Sequence, residues 1–147
     1  MINKPIRRAP LGQLLLQAFR WFDESLRLSL VARGWPGHTH AQSLVFAHID
    51  RQGVRISELA RRVGVSRQAM HRTVGELVAL GVMELAPDPT NRSARLVMLT
   101  EQGKSNIEAA LAVFADLEAG LSDRLGEENA ASLRATLEAD WGTPQTV

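Results

Sequence analysis

The sequence predicts a mainly α-helical chain carrying one small β-hairpin, and three observations predict it. Apolar residues recur at steps of three and four through most of the 147 positions, the period of helices with one buried face. One region alone offers paired strand-like runs, residues 82–85 and 96–99, and the nine residues between them, APDPTNRSA, have the proline and Asx content of a hairpin tip. Just before that hairpin, residues 56–81, ISELARRVGVSRQAMHRTVGELVALG, read as two short helices about a tight turn.

Taken in order, residues 1–10, MINKPIRRAP, form a basic, proline-bounded arm, expected to be a frayed terminus. Residues 11–33 form a long helix with no proline, and no glycine after Gly12. Leu15, Phe19, Phe22, Leu26 and Leu30 make one stripe on it, while Leu14, Leu16, Trp21, Leu28 and Val31 lie outside that stripe. Two ridges need two partners: the reading domain on one side and a second subunit on the other, or else the chain's own C-terminal helices. Residues 34–39, GWPGHT, break the helix, and Thr39 caps a second one from His40 to about Arg51, with Leu44, Val45, His48 and Ile49 on its buried side.

In the central pair, Ser57 is expected to cap the first helix and Gly64 to end it in a left-handed conformation. Ala60 is small where the two helices cross. Ser66 caps the second helix, whose buried stripe is Met70, Val74 and Leu77, with Gly81 closing it. After the hairpin, Thr100 caps a helix to about Gly120 bearing Ile107, Leu111, Phe114 and Leu117, and a last helix carries Ala130, Leu133, Leu137 and Trp141. Residues 142–147 should fray. The expected organisation is a single domain over 1–147, with a reading region at 39–100 between dimerisation helices at 11–33 and 101–141.

Net charge is +1, yet it is the sum of unlike thirds. Residues 1–50 hold six Lys/Arg and three Asp/Glu, residues 51–100 eight and four, and residues 101–147 three and nine. Basic charge therefore collects on the reading region, a footprint for a polyanion, and acidic charge on the C-terminal helices. Arg67, Gln68, His71 and Arg72 fall on the face of the second helix away from Met70 and Val74, as donors for base edges and phosphates. Arg55, Arg61 and Arg62 join Ser66 as candidate DNA contacts.

An aromatic fraction of 5% argues against stacking on single strands. The absence of cysteine removes disulfides and thiolate ligands. No signal pattern and no long apolar run is present, so a cytoplasmic protein without a membrane partner is expected.

The run DPTNRSARLVMLTEQG, with SRQAMHRTV upstream, resembles the MarR family of winged-helix transcription regulators, and the resemblance spans nearly the whole chain. It implies a winged helix-turn-helix with a two-stranded β-wing flanked by N- and C-terminal dimerisation helices. It further implies a homodimer that binds double-stranded operator DNA, a repressor by expectation, responsive to a small amphipathic or aromatic effector. In that family the wing's Asp, here Asp88, braces an arginine, and a wing-tip arginine, best matched by Arg92, enters the minor groove. A narrow minor groove does favour an inserted guanidinium. This sequence departs from relatives with two adjacent arginines: Arg92 is followed by Ser93, and the next base is Arg95, so wing contacts are fewer or shared.

An effector cleft between the dimer helices and the reading region would be lined by Trp21, Phe22, Trp35, His38, His40 and His48, apolar walls with a few polar groups. Those histidines do not predict a metal: His40 and His48 are eight apart, about 12 Å along a helix axis, and a site needs several ligands at matched geometry. No cofactor is expected. Catalysis is the weakest reading, since Ser66 and His71 are better explained as cap and groove residue, and Glu127 with Glu128 as a solvated pair. The serious alternative to DNA binding is a winged helix serving as a protein-interaction module, because fold does not fix function.

Overall fold

The computed structural model describes residues 8–144 and Thr146, with the side chain of Arg92 excepted. Most of the basic arm expected at residues 1–10 lies outside the described residues, as do two of the six positions in the expected frayed end.

Helix α1, Leu11–Ala32, starts after Pro10 and stops where Gly34 takes φ +81° and the Trp35 N–H donates to the Leu30 carbonyl. Thr39 and Gln42 form a reciprocal capping box on α2, His40–His48. This helix ends short of the expected Arg51, because Ile49 turns extended and feeds a two-residue strand, β1, Val54–Arg55. Strand β1 was not expected. It runs straight into α3, Ile56–Val63, whose N-cap position is Arg55, so Ser57 lies within the first turn and is not the cap. Gly64 ends α3 at φ +77°. Ser66 caps α4, Arg67–Ala79, by accepting from the Ala69 N–H at 3.1 Å, and Met70, Val74 and Leu77 are its buried residues, all as the spacing predicts.

Strands β2, Met83–Asp88, and β3, Asn91–Leu99, make the wing hairpin, and β1 pairs antiparallel with the far side of β3 to give a three-stranded sheet ordered β1-β3-β2. The long tip expected at residues 86–94 is largely strand. Pairing continues through Ala86↔Leu96 and Pro87↔Arg95, then slips to Asp88↔Asn91, so residues 92–94 bulge from β3. Pro87 is tolerated because β2 is an edge strand and no partner needs its missing N–H.

Helix α5, Glu101–Leu125, is capped by Thr100 and runs straight through Gly120. Its inward face is Gly103, Asn106 and Val113, while Leu111, on the apolar side expected of an interface helix, is 61% exposed within the single chain. A side chain at Gly103 would collide with the Val82 carbonyl oxygen, which is how α5 lies close against the start of the wing. Helix α6, Glu127–Glu138, packs on α5 and buries no residue.

The main core joins the reading region: Val45 from α2, Val54 from β1, Leu59 and Ala60 from α3, Met70, Val74 and Leu77 from α4, and Val82, Met83 and Val97 around the wing. A smaller contact, with Leu30 of α1 and Val113 of α5 both buried, holds the long helices together. Among the described residues no helix is long and apolar enough to cross a membrane.

Candidate nucleic-acid interface and cleft

Helix α4 is fixed by its apolar stripe, and that orientation decides what it shows to solvent. With Met70, Val74 and Leu77 pressed into the core, Arg67, Gln68, His71 and Arg72 all stand exposed on its first two turns, beside the exposed capping residue Ser66. Guanidinium, amide and imidazole groups on an outward helix face are the donors that read base edges and hold phosphates.

Arg61 and Arg62 sit on the neighbouring helix in a different situation. Both donate to Glu58, Arg61 through two nitrogens at 2.9 and 2.6 Å and Arg62 at 2.9 Å, and these bonds hold the Glu58 carboxyl down at about 2. Arg62 also reaches Asp50 at 2.9 Å and the His48 carbonyl at 3.1 Å, so it ties α3 to the end of α2. Arg61 remains the more available of the two, with its side chain 74% exposed.

At the wing, Asp88 is buried and its carboxylate gathers three donors. The Thr90 hydroxyl and amide donate to one oxygen at 2.7 and 2.8 Å, and the Arg55 Nε donates to the other at 2.6 Å. Thr90, and after it Arg55, pull the carboxyl down to about 2. Arg55, expected among the DNA contacts, is therefore the arginine that Asp88 braces, and it also donates to the Thr90 hydroxyl at 3.1 Å. Asn91 closes the tip by accepting from the Ser93 amide and hydroxyl. The backbone of Arg92 lies in the bulge of β3, and Arg95 is exposed opposite Pro87.

Behind the reading region, α1, α2, α5 and α6 enclose a cleft of about 790 Å³. Phe22 and His38, of the six residues expected to line it, do so. Trp21 is exposed and packs perpendicular to the Phe22 ring, His40 pairs with Asp23 at 3.3 Å, and the His48 ring bonds the Leu44 carbonyl at 2.8 Å. Trp35 is half-buried away from the cleft. The histidines thus occupy three unrelated environments, and among the described residues no group of three or more His, Cys, Asp or Glu could hold a metal. Sequence reasoning missed Phe46, Phe114 and Asn106, which line the cleft. Phe46 and Phe114 carry no signal that separates them from plain core.

A turn-ended helix, an outward basic helix and a braced three-stranded wing match a known design. Residues 37–92 match the MarR family model, and an uncharacterized protein of Mycobacterium tuberculosis is 30% identical over 99 residues, covering 67% of this chain and 69% of that one. This chain belongs to the MarR family. The crystal structure of wild-type MarR from E. coli, in its apo form, superposes with a TM-score of 0.74 at 28% identity, covering 90% of this chain and 97% of that one. The HTH-type transcriptional regulator TcaR of Staphylococcus aureus is 26% identical over 99 residues, 66% of each chain. Like its family, this chain is a winged-helix, DNA-binding transcription regulator.

Proposed function

We propose that this MarR-family protein is a cytoplasmic homodimer that represses transcription by occupying a two-fold-symmetric operator, and that a small amphipathic or aromatic molecule weakens its hold. The observation that carries the reading is the pairing of one basic helix face, Arg67 to Arg72 on α4, with apolar surface left open on α1, α5 and α6. One α4 reads one major groove. Two copies joined through the open helices present two, at the spacing of roughly 34 Å that successive grooves on one duplex face require.

In this reading Gln68, His71, Arg67 and Arg72 contact bases and adjoining phosphates, and Ser66 and Arg61 contact the backbone. Arg92, with Arg95, serves the minor groove, and Arg55 with Asp88 positions the wing. Residues 11–33 and 101–141 act as the dimerisation helices about the reading region at 39–100. The effector occupies the cleft behind α2, where it changes the separation of the two α4 helices.

Selection of bound duplexes from random DNA at fixed salt tests the core of this reading. A two-fold-symmetric motif, with affinity falling linearly in log salt, is expected. Enrichment of no motif, with weak binding indifferent to sequence, would favour a winged helix that serves protein partners.

A further inference from the structure

The cleft behind the reading region has an acidic lining. Four carboxylates line it, Asp23, Glu118, Glu127 and Glu138. Among the described residues a single guanidinium joins them there, Arg134, and it is already held by Glu118 and Glu138. An anion entering the cleft would meet carboxylates and no uncommitted base. A cation would meet a lining that stays net acidic, with Glu127 in no ion pair among the described residues, Glu118 and Glu138 sharing the one Arg134, and Asp23 facing His40.

The walls agree with that sign. Phe19, Phe22, Phe46 and Phe114 line the cleft, and the face of an aromatic ring attracts a cation within about 6 Å of its centre. The deep end adds a hydrogen-bonding demand. His38 is 6% exposed and Asn106 1% exposed; both line the cleft, and they bond to each other through Nε2 and Oδ1 at 2.9 Å. His38 Nδ1 and Asn106 Nδ2 are left without partners. With the amide oxygen facing Nε2, that nitrogen carries the ring proton and Nδ1 is a bare acceptor. A buried acceptor at His38 and a buried donor at Asn106 are each costly unpaired, and they ask for opposite partners, so this end of the cleft is polar without favouring either sign of ligand.

We infer that this cleft takes a lipophilic amine in its protonated form, with the ring system among the phenylalanines and the ammonium among the carboxylates, in preference to an aromatic carboxylate. The inference rests on the effector reading above for its regulatory meaning, and on the cleft alone for its chemistry.

The test is calorimetric titration of the full chain with two probes of one skeleton, 1-naphthylmethylamine and 1-naphthoate, at neutral pH, each repeated with operator binding as readout. The amine should bind at least about tenfold more tightly than the naphthoate. Asp23→Asn and Glu127→Gln should each cost the amine about fivefold, the scale of one charge contact in water, and leave the naphthoate no weaker. Naphthoate binding as tightly as the amine would overturn the inference and leave the effector reading standing. Binding of neither probe to a dimer that still holds its operator would mean that the second copy fills the cleft, and both would fall. Selective amine binding that leaves operator affinity unmoved would uphold the ligand class and sink the effector role.

Discussion

Asp88 links wing geometry to pH. Its carboxyl lies at about 2 in the folded protein against an ordinary value of 3.8, because Thr90 and then Arg55 donate to the charged form. A depressed folded-state value stabilises the fold above the unfolded value, and that contribution is lost as pH falls from about 4 through about 2. Melting temperatures measured across that window should therefore fall less steeply in Asp88→Asn than in the parent, and equal slopes would show that the wing brace does not couple to folding. The DNA-facing residues separate by what they already hold. Gln68→Ala and Arg72→Ala are expected to change which bases are preferred, whereas Arg61→Ala should weaken all duplexes alike and lower the salt slope by about 1. An unchanged preference in both α4 variants would remove α4 from the groove. Arg62 is a poorer probe than the sequence suggested, since its bonds to Glu58, Asp50 and the His48 carbonyl make its loss a structural change as well. For the wing, Arg92→Ala should cost about 1 to 3 kcal/mol of specific binding, one good groove contact. If Arg95→Ala does so instead, the minor-groove contact belongs to the strand beside the bulge.

At the scale of elements, what was legible in the sequence is what local chemistry encodes. Helix α4 announces itself through Ser66, the Met70, Val74 and Leu77 stripe and Gly81, all within sixteen residues, and the structure keeps each of these features. Strand β1 has no such signal: two residues carry no period, and Val54–Arg55 is a strand only because Val97 and Leu96 lie opposite. The wing tip was misjudged for a related reason. Two prolines suggest a loop, but Pro87 lies on an edge, where the ladder asks nothing of its nitrogen. On α5, the buried face of Gly103 and Asn106 was invisible to a search for apolar residues, because one is needed for its missing side chain and the other for its bond to His38. That account makes a prediction. Gly103→Ala should destabilise the fold by about 1 to 3 kcal/mol, the usual cost of forcing extra volume into a packed site, and denaturant unfolding would measure it. A neutral result would mean that α5 does not lie against Val82 as closely as the structure has it.

For the whole molecule, the distribution of apolar surface argues for a second copy. Leu14, Leu16, Leu28 and Val31 of α1 are each about half exposed, and the second ridge expected on that helix is thus left uncovered by the chain's own C-terminal helices. Leu111 and Leu125 of α5, Leu133 and Leu137 of α6, and Trp141 just beyond it are exposed to a similar degree. Scattered apolar residues are ordinary on a protein surface, whereas several on adjoining helices call for a partner. The acidic third of the sequence lies on these same C-terminal helices, away from the basic reading region, so assembly through them keeps carboxylates off the DNA face. Leu133→Lys combined with Leu137→Lys should therefore yield a monomer by sedimentation without loss of helical signal, since neither side chain is buried within one chain. The monomer holds one α4 and reads one half-site. Its affinity for the selected operator should fall toward that for unrelated duplex, by about 10³-fold or more, the usual separation between specific and non-specific binding. A variant that stays dimeric and binds the operator undiminished would place the subunit contact elsewhere, on the α1 ridge without α6.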